Sequence, residues 1–356
     1  MWTARKPALQ LAALALCLAP CTGQKVGAGN GTEAVEVKAA AKEASADKAN
    51  APTAPAPSCS IVGASVSCGM DWRSQARFAG NSDPIEYAEK QLKRAIEDRE
   101  FDLRTDSLPL AKLIALLDPD GRIRIDNQSQ VILRNAPLLI ASQLNHATAK
   151  SRLVVGIDLM VWFGYGDVPQ PPAGATAAER AAHQAEQRLQ LQATAFALID
   201  KCMAGNDCVF VIGDYPDLRE GNAVLMRPHQ RPTAEVLTEL NRRLREFAAE
   251  RERVVLFPMH DLLEAAVRHE LEVEIGGKTR RLRSADVLQL DEIHPNRLGV
   301  AILLTHVAKV VKAEAPQVAD CLPELPDLEA MMTTAGIEVE DLDYLARRGR
   351  HAKPGK

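Results

Sequence analysis

Four short strand-like runs constrain this chain more than anything else in it. They lie at residues 58–62, 153–157, 209–212 and 254–257. The first, Ser58-Cys59-Ser60-Ile61-Val62, is a β-type run, and the continuous apolar character of 153–157 marks a strand covered on both faces. Between and after the runs come stretches with helical spacing, at 84–100, 108–117, 137–149, 176–201, 233–251 and 298–312. Residues 271–282 alternate around Gly276-Gly277 and predict a hairpin. Strands that alternate with helices require a mainly parallel sheet with helices on both faces. The predicted fold class is therefore α/β, in one domain over 58–318. In such sheets sites form at the carboxyl ends of strands. Gly63-Ala64-Ser65, Gly156-Ile157-Asp158 and Gly213-Asp214-Tyr215-Pro216-Asp217 all fall there.

The ends of the chain have a different character. Arg5 and Lys6 precede an apolar run over 8–19 that is too short to span a bilayer, so 1–21 predicts a signal peptide and export. Leu18-Ala19-Pro20-Cys21 is like the cysteine-ended box of bacterial lipoproteins, although Pro20 suits the cut poorly. A lipid anchor at Cys21 and ordinary secretion both fit. Residues 22–57 hold Ala, Lys, Glu, Gly and Pro with almost no large apolar side chain, which predicts a mobile tether. Residues 319–356 form a C-terminal tail with one weak helical pattern at Leu328, Met331 and Met332. This tail either packs on the domain or hangs free. A formal net charge of -4 gives no global reason to expect nucleic acid as a partner, and the basic end 347–356 reads as a solvated terminus.

Seven cysteines suit an oxidising compartment. Cys17 leaves with the signal. Cys202 and Cys208 bracket a turn and could close it as a disulfide. If the last helix runs down from the top of the sheet, Cys321 emerges near the start of the first strand, so a Cys59–Cys321 bridge is expected, while Cys68 stays a free thiol near the site. No C-x-x-C pair is present, so no zinc site is expected. His269-Glu270 lacks a second His at helical spacing, Gly277-Lys278-Thr279 lacks the first glycine of a phosphate loop, and His146, His229 and His260 are isolated. No metal or cofactor is expected.

The chemistry concentrates in Asp291-Glu292-Ile293-His294-Pro295-Asn296, just ahead of the last apolar helix. An Asp three residues before a His can accept from Nδ1–H on one side of a tight turn and leave Nε2 free as a base. A nucleophile is available far upstream, in Gly63-Ala64-Ser65-Val66-Ser67-Cys68-Gly69, directly after the first strand. A serine at a strand-to-loop turn exposes Oγ and aims its own N–H at a developing oxyanion.

Together these two stretches resemble the SGNH (GDSL-type) serine hydrolases. The first block of that family reads Gly-Asp-Ser-Leu and ends in glycine; here Gly63, Ser65 and Gly69 keep their places. The last block, Asp-x-x-His-Pro, is matched in full by Asp291 to Pro295. The resemblance covers about 58–313. It implies a flavodoxin-like three-layer α/β/α sandwich with Ser65 as nucleophile, His294 as base then acid, and Asp291 orienting the imidazole. It also implies an ester of a glycan, lipid or small molecule as substrate. Three departures stand out: Ala64 replaces the acidic residue beside serine, Asp158 stands where an amide donor belongs, and the second-block glycine is matched only by Gly80. The oxyanion candidates are thus Ser65, Asp158 and Gly80. Polysaccharide O-acyl transfer shares the triad, and a binding protein that has kept the fold without the reaction is the rival of a different class. Around the site, the 158–166 segment could line a cleft, with core packing an equal reading of Trp162 and Phe163, and Asp214 and Asp217 fit turn formation.

Overall fold

The computed structural model describes residues 56–351 apart from 93–94, 132–135, 220 and 222–225. The expected signal peptide with Cys17 and Cys21, and all of the tether up to residue 55, lie outside the described residues, as do 352–356 of the basic end.

Five parallel strands form the central sheet: β1 (Ser58–Ile61), β2 (Arg124–Asn127), β3 (Leu153–Gly156), β4 (Val209–Gly213) and β5 (Val254–Phe257). Their spatial order is β2-β1-β3-β4-β5. This is the flavodoxin-like order, whose direction of winding reverses between β1 and β3. Side chains alternate between the two faces as the two-residue period of a strand dictates. Ile61, Val155, Val211 and Val255 enter one core, and Val62, Val154, Phe210 and Ile212 the other. The helices are α1 (Trp72–Phe78), α2 (Pro84–Leu92), α3 (Asp98–Thr105), α4 (Leu110–Leu117), α5 (Ala136–Thr148), α6 (Ala177–Ala204), α7 (Ala234–Ala249), α8 (Met259–Val267), α9 (Arg297–Glu314), α10 (Leu328–Thr334) and α11 (Val339–His351). β6 (Leu271–Ile275) and β7 (Lys278–Leu282) form the expected hairpin, turning through Gly276 and Gly277 at φ 60 and 69.

Local sequence explains most boundaries. Thr176 opens α6 with a capping box closed by Glu179, and Thr233 caps α7. Two elements depart from the sequence reading. The helix expected over 84–100 is two helices, the second starting after Glu97 adopts an extended backbone. β2 gave no apolar signal because it is an edge strand with only half-buried and exposed side chains, and pairing with β1 is what makes it a strand. The C-terminal segment packs: Leu328, Met331, Met332, Leu342 and Leu345 are buried.

The five described cysteines are all free thiols, so neither expected bridge is present. Cys202 turns its Sγ to Asn145 Oδ1 at 3.5 Å, and Cys321 turns to Asp320 Oδ1 at 3.8 Å. Burial, and then the neighbouring Cys321, push the Cys59 thiol well up.

Candidate active site

Two turns at the carboxyl edge of the sheet make the site. The first follows β1. Gly63 sits at φ 121, a backbone that side chains rarely tolerate. A Cβ on it would also stand 2.1 Å from Asp158 Oδ1. Glycine is required because Asp158, arriving from the end of β3, grips the turn from inside. Its Oδ2 accepts from the N–H of Val66 (2.8 Å) and Ser67 (3.1 Å), and its Oδ1 from the Ser67 hydroxyl at 2.5 Å. Gln143 on α5 pins the same corner, accepting from Gly63 N–H at 2.8 Å and donating to Gly63 O at 3.3 Å. Cys68 N–H to Ala64 O and Met70 N–H to Ser65 O close the turn around Ser65. Burial pushes the Asp158 carboxyl above its ordinary range, against the lowering effect of the bonds it accepts.

The second turn precedes α9. Leu288 and Pro295 face each other in an antiparallel bridge, with Gln289 N–H bonded to His294 O at 2.8 Å. Inside this small loop Glu292 takes a left-handed backbone at φ 57. Asp291 Oδ1 then accepts from the N–H of both Ile293 and His294 at 2.9 Å. Its Oδ2 lies 2.6 Å from His294 Nδ1. Burial alone would raise the Asp291 carboxyl, but the imidazole and the two backbone donors hold it below its ordinary range. Asn296 caps α9 by accepting from Gly299 N–H at 2.9 Å, which fixes where the helix begins and hence where His294 points.

Between the two turns, Ser65 Oγ and His294 Nε2 are 2.7 Å apart. The structure thus brings Ser65, His294 and Asp291 into one hydrogen-bonded chain, with Asp291 and His294 buried and Ser65 half-buried. A strut ties the turns together: Gln289 Nε2 donates to Met70 O at 2.7 Å and to Pro295 O at 3.0 Å. Gln75 of α1 also reaches the ring, with its amide 3.4 Å from Nδ1. Gln143, Gln289 and Gln75 were absent from the sequence reading. Gln143 lies on an otherwise apolar stripe with Ile140, Leu144 and Ala147, and Gln289 stands between Leu288 and Leu290; a glutamine in an apolar setting was the available signal.

The other candidates take these places. Asp158 lines the cleft, but both its oxygens accept from the nucleophile turn, so it anchors that turn and is not placed as a donor. Gly80 closes the end of α1, where its N–H donates to Arg77 O; it is exposed and does not line the cleft. Ser65 N–H has no partner among the described residues. Trp162 lines the cleft, while Phe163 belongs to the core. Asp214 accepts from His260 N–H at the start of α8, and Asp217 from Arg219 N–H. His146 lies beside Lys150, and His229 beside Asp167. His260, Asp261 and Glu264 bring one ligand atom each within 4.8 Å of one another on half-buried and exposed side chains of α8.

From the site an apolar cleft runs into the molecule, with a cavity of about 130 Å³. It passes Met70 and Ile293 and continues between α8 and α9.

No protein-family model matches the chain, and no curated protein matches its sequence. Its backbone is similar to solved structures of low identity. BT4096, a gut microbial diltiazem-metabolizing enzyme, is 12% identical with a TM-score of 0.39, over 73% of this chain; the chain spans 47% of that protein's length. Phospholipase A1 from Streptomyces albidoflavus is 14% identical with a TM-score of 0.36, over 73% of this chain and 100% of its own. LAE5, an alpha/beta hydrolase enzyme from the metagenome of Lake Arreo, is 16% identical with a TM-score of 0.35, over 76% and 99%.

Proposed function

We propose that this chain is an exported serine ester hydrolase. The observation that carries the reading is the unbroken chain from Ser65 Oγ through His294 to Asp291, with separations of 2.7 and 2.6 Å. A serine hydroxyl becomes a useful nucleophile when a base in hydrogen-bond reach can take its proton. Here Oγ attacks the ester carbonyl carbon as its proton passes to Nε2. Asp291 holds the tautomer with the proton on Nδ1 and stabilises the imidazolium that forms. The Ser65 N–H is the backbone donor for the oxyanion. The C–O bond then breaks, Nε2–H protonates the departing alcohol, and an acyl group is left on Ser65. Water repeats the sequence, giving its proton to Nε2 and releasing the carboxylic acid. The predicted export signal places this work outside the cytoplasm, with the protein secreted or held at a membrane through Cys21.

The test is reaction with a fluorophosphonate probe, which labels serines activated in this way. Wild type is expected to be labelled and Ser65→Ala not. A folded wild type that takes no label would overturn the reading and favour a binding role.

A further inference from the structure

We propose that the recess between α8 and α9 holds a hydrocarbon chain, so that the substrate is an ester carrying a linear apolar chain. The identity of the molecule as an ester rests on the proposed role of Ser65; the recess itself is defined independently of that role.

The walls come from two facing stripes. On α8 they are Met259, Leu263 and Ala266; on α9, Ile302 and Leu303; Val287 lies between them. The spacing 259, 262, 263, 266 puts one face of α8 toward the gap, as 299, 302 and 303 do for α9. Both helices contact the turn Ser284–Val287, and α8 also meets β6, so Val287 bounds the recess between them.

The lining has an abrupt chemical boundary. Among the described residues that line the cleft, Ser65, His294 and Asp158 are the only hydroxyl-bearing or ionisable side chains; all three stand at the Ser65 end, and the one further polar side-chain group is the indole N–H of Trp162. Beyond them a sugar hydroxyl or a charged group would lose water and find no side-chain partner, at the cost of an unmade hydrogen bond. Methylenes would lose water at a gain and meet carbon on every side. Interiors are packed with few voids larger than a water molecule. A cleft of about 130 Å³ whose lining beyond the Ser65 end is mostly aliphatic is therefore exceptional. Apolar cavities of about that size stay dry and take up hydrocarbon guests.

Because both the acyl and the alcohol part of an ester adjoin Ser65, two substrate series separate the sources. In p-nitrophenyl esters of linear acids, kcat/KM is expected to rise from acetyl toward decanoyl by about fourfold per methylene, the equivalent of about 0.8 kcal/mol for each buried CH2. If the chain belongs to the alcohol instead, the rise appears in acetate esters of linear alcohols and not in the acyl series. Ala266→Phe and, on the other wall, Leu303→Phe should each lower the long-over-short ratio by about tenfold. Thermal melts would establish that each variant is folded, and one folded variant suffices. Separately, Ser65→Ala should bind a fluorescent undecanoic acid that decanoate displaces and a cello-oligosaccharide does not. Rates flat with chain length in both series, or ratios unmoved by both fillings, would overturn the proposal, as would Ser65→Ala that binds no fatty acid. Fatty-acid binding by Ser65→Ala, with a folded wild type that takes no fluorophosphonate label, would instead overturn the esterase reading and leave the recess standing.

Discussion

The two turns that meet at the site are built in opposite ways. The Asp291–His294 turn is nearly self-sufficient: its carboxylate bonds groups two and three positions away in sequence. The Ser65 turn closes on local backbone bonds, but the side chains that hold it come from outside. Asp158 reaches it across 91 and 92 positions and Gln143 across 80. A turn of the first kind is complete once a few consecutive residues are right. A turn of the second kind exists only when β1, β3 and α5 have already come together. The difference teaches where chemistry and where architecture are written, and substitutions can press on each side of it.

The largest effects should come from the chemical chain itself. Ser65→Ala and His294→Ala should each lower ester hydrolysis by about 10⁴-fold or more, Ser65→Ala with its melting temperature little changed and His294→Ala with a lower one, because it strands the buried Asp291 carboxylate. Asp291→Asn should fall by about 10⁴-fold, because an amide in place of Oδ2 permits the wrong imidazole tautomer. Initial rates and melting curves on the same preparations check both. If Asp291→Asn unfolds the protein, the His294 turn is less self-sufficient than the comparison holds.

The next effect falls on the externally held turn. Asp158→Ala would strand the buried N–H groups of Val66 and Ser67, at about 1–3 kcal/mol each. Denaturant unfolding should show that loss in stability, and fluorophosphonate labelling of Ser65 should slow. Asp158→Asn behaves differently, since its carbonyl can accept from both N–H groups and its NH2 can donate to Ser67 Oγ. It also changes the pH response. The folded-state pKa of Asp158 is raised above the ordinary 3.8 by burial. Its contribution to stability is therefore fully present below the unfolded-state pKa and is lost as pH rises through the folded value. The asparagine variant should lack that loss, gaining stability relative to wild type as pH climbs above 3.8. Equal pH profiles for the two proteins would sink this account of Asp158.

The strut between the turns comes third. Gln289→Leu keeps volume and removes both donations, to Met70 O and Pro295 O. The two turns are then free to drift, and a misplacement of about 1 Å can cost on the order of 10²-fold in rate. The drop should appear in kcat with KM little moved. An unchanged kcat in the folded variant would mean that each turn is placed by its own supports alone.

The same contrast explains what could be read before the fold was known. Asp291 to Pro295 was legible because its partners are neighbours in sequence. The parallel sheet was legible too, since β3, β4 and β5 are apolar throughout and β1 is a short β-type run between breakers, and Thr176 announces its helix. What escaped depends on distant partners. β2 becomes a strand only through its pairing with β1, and Gln143, Gln289 and Gln75 acquire roles only once remote backbone comes to them. Asp158 was legible as an oxyanion candidate able to donate only when protonated; that it accepts from Val66 and Ser67 depends on a turn 91 and 92 positions away. Gly80 was the one match offered for the second-block glycine, whereas its N–H belongs to the end of α1.

The smallest effect concerns the helix that follows His294. Asn296 caps α9 through Gly299 N–H, and its Nδ2 donates to Asp286 O at 2.9 Å, so one side chain fixes both the start of the helix and the approach to it. Asn296→Ala should cost about 1 kcal/mol from the cap alone. Asn296→Asp keeps the capping oxygen and loses the donation to Asp286 O, which separates the two functions. If the His294 turn is self-sufficient, Asn296→Asp should leave fluorophosphonate labelling near wild type while Asn296→Ala shifts the melt by a few degrees. If labelling instead falls in Asn296→Asp without a change in the melt, the aim of His294 depends on the loop before α9. The locally built turn would then need remote support after all, as the Ser65 turn does.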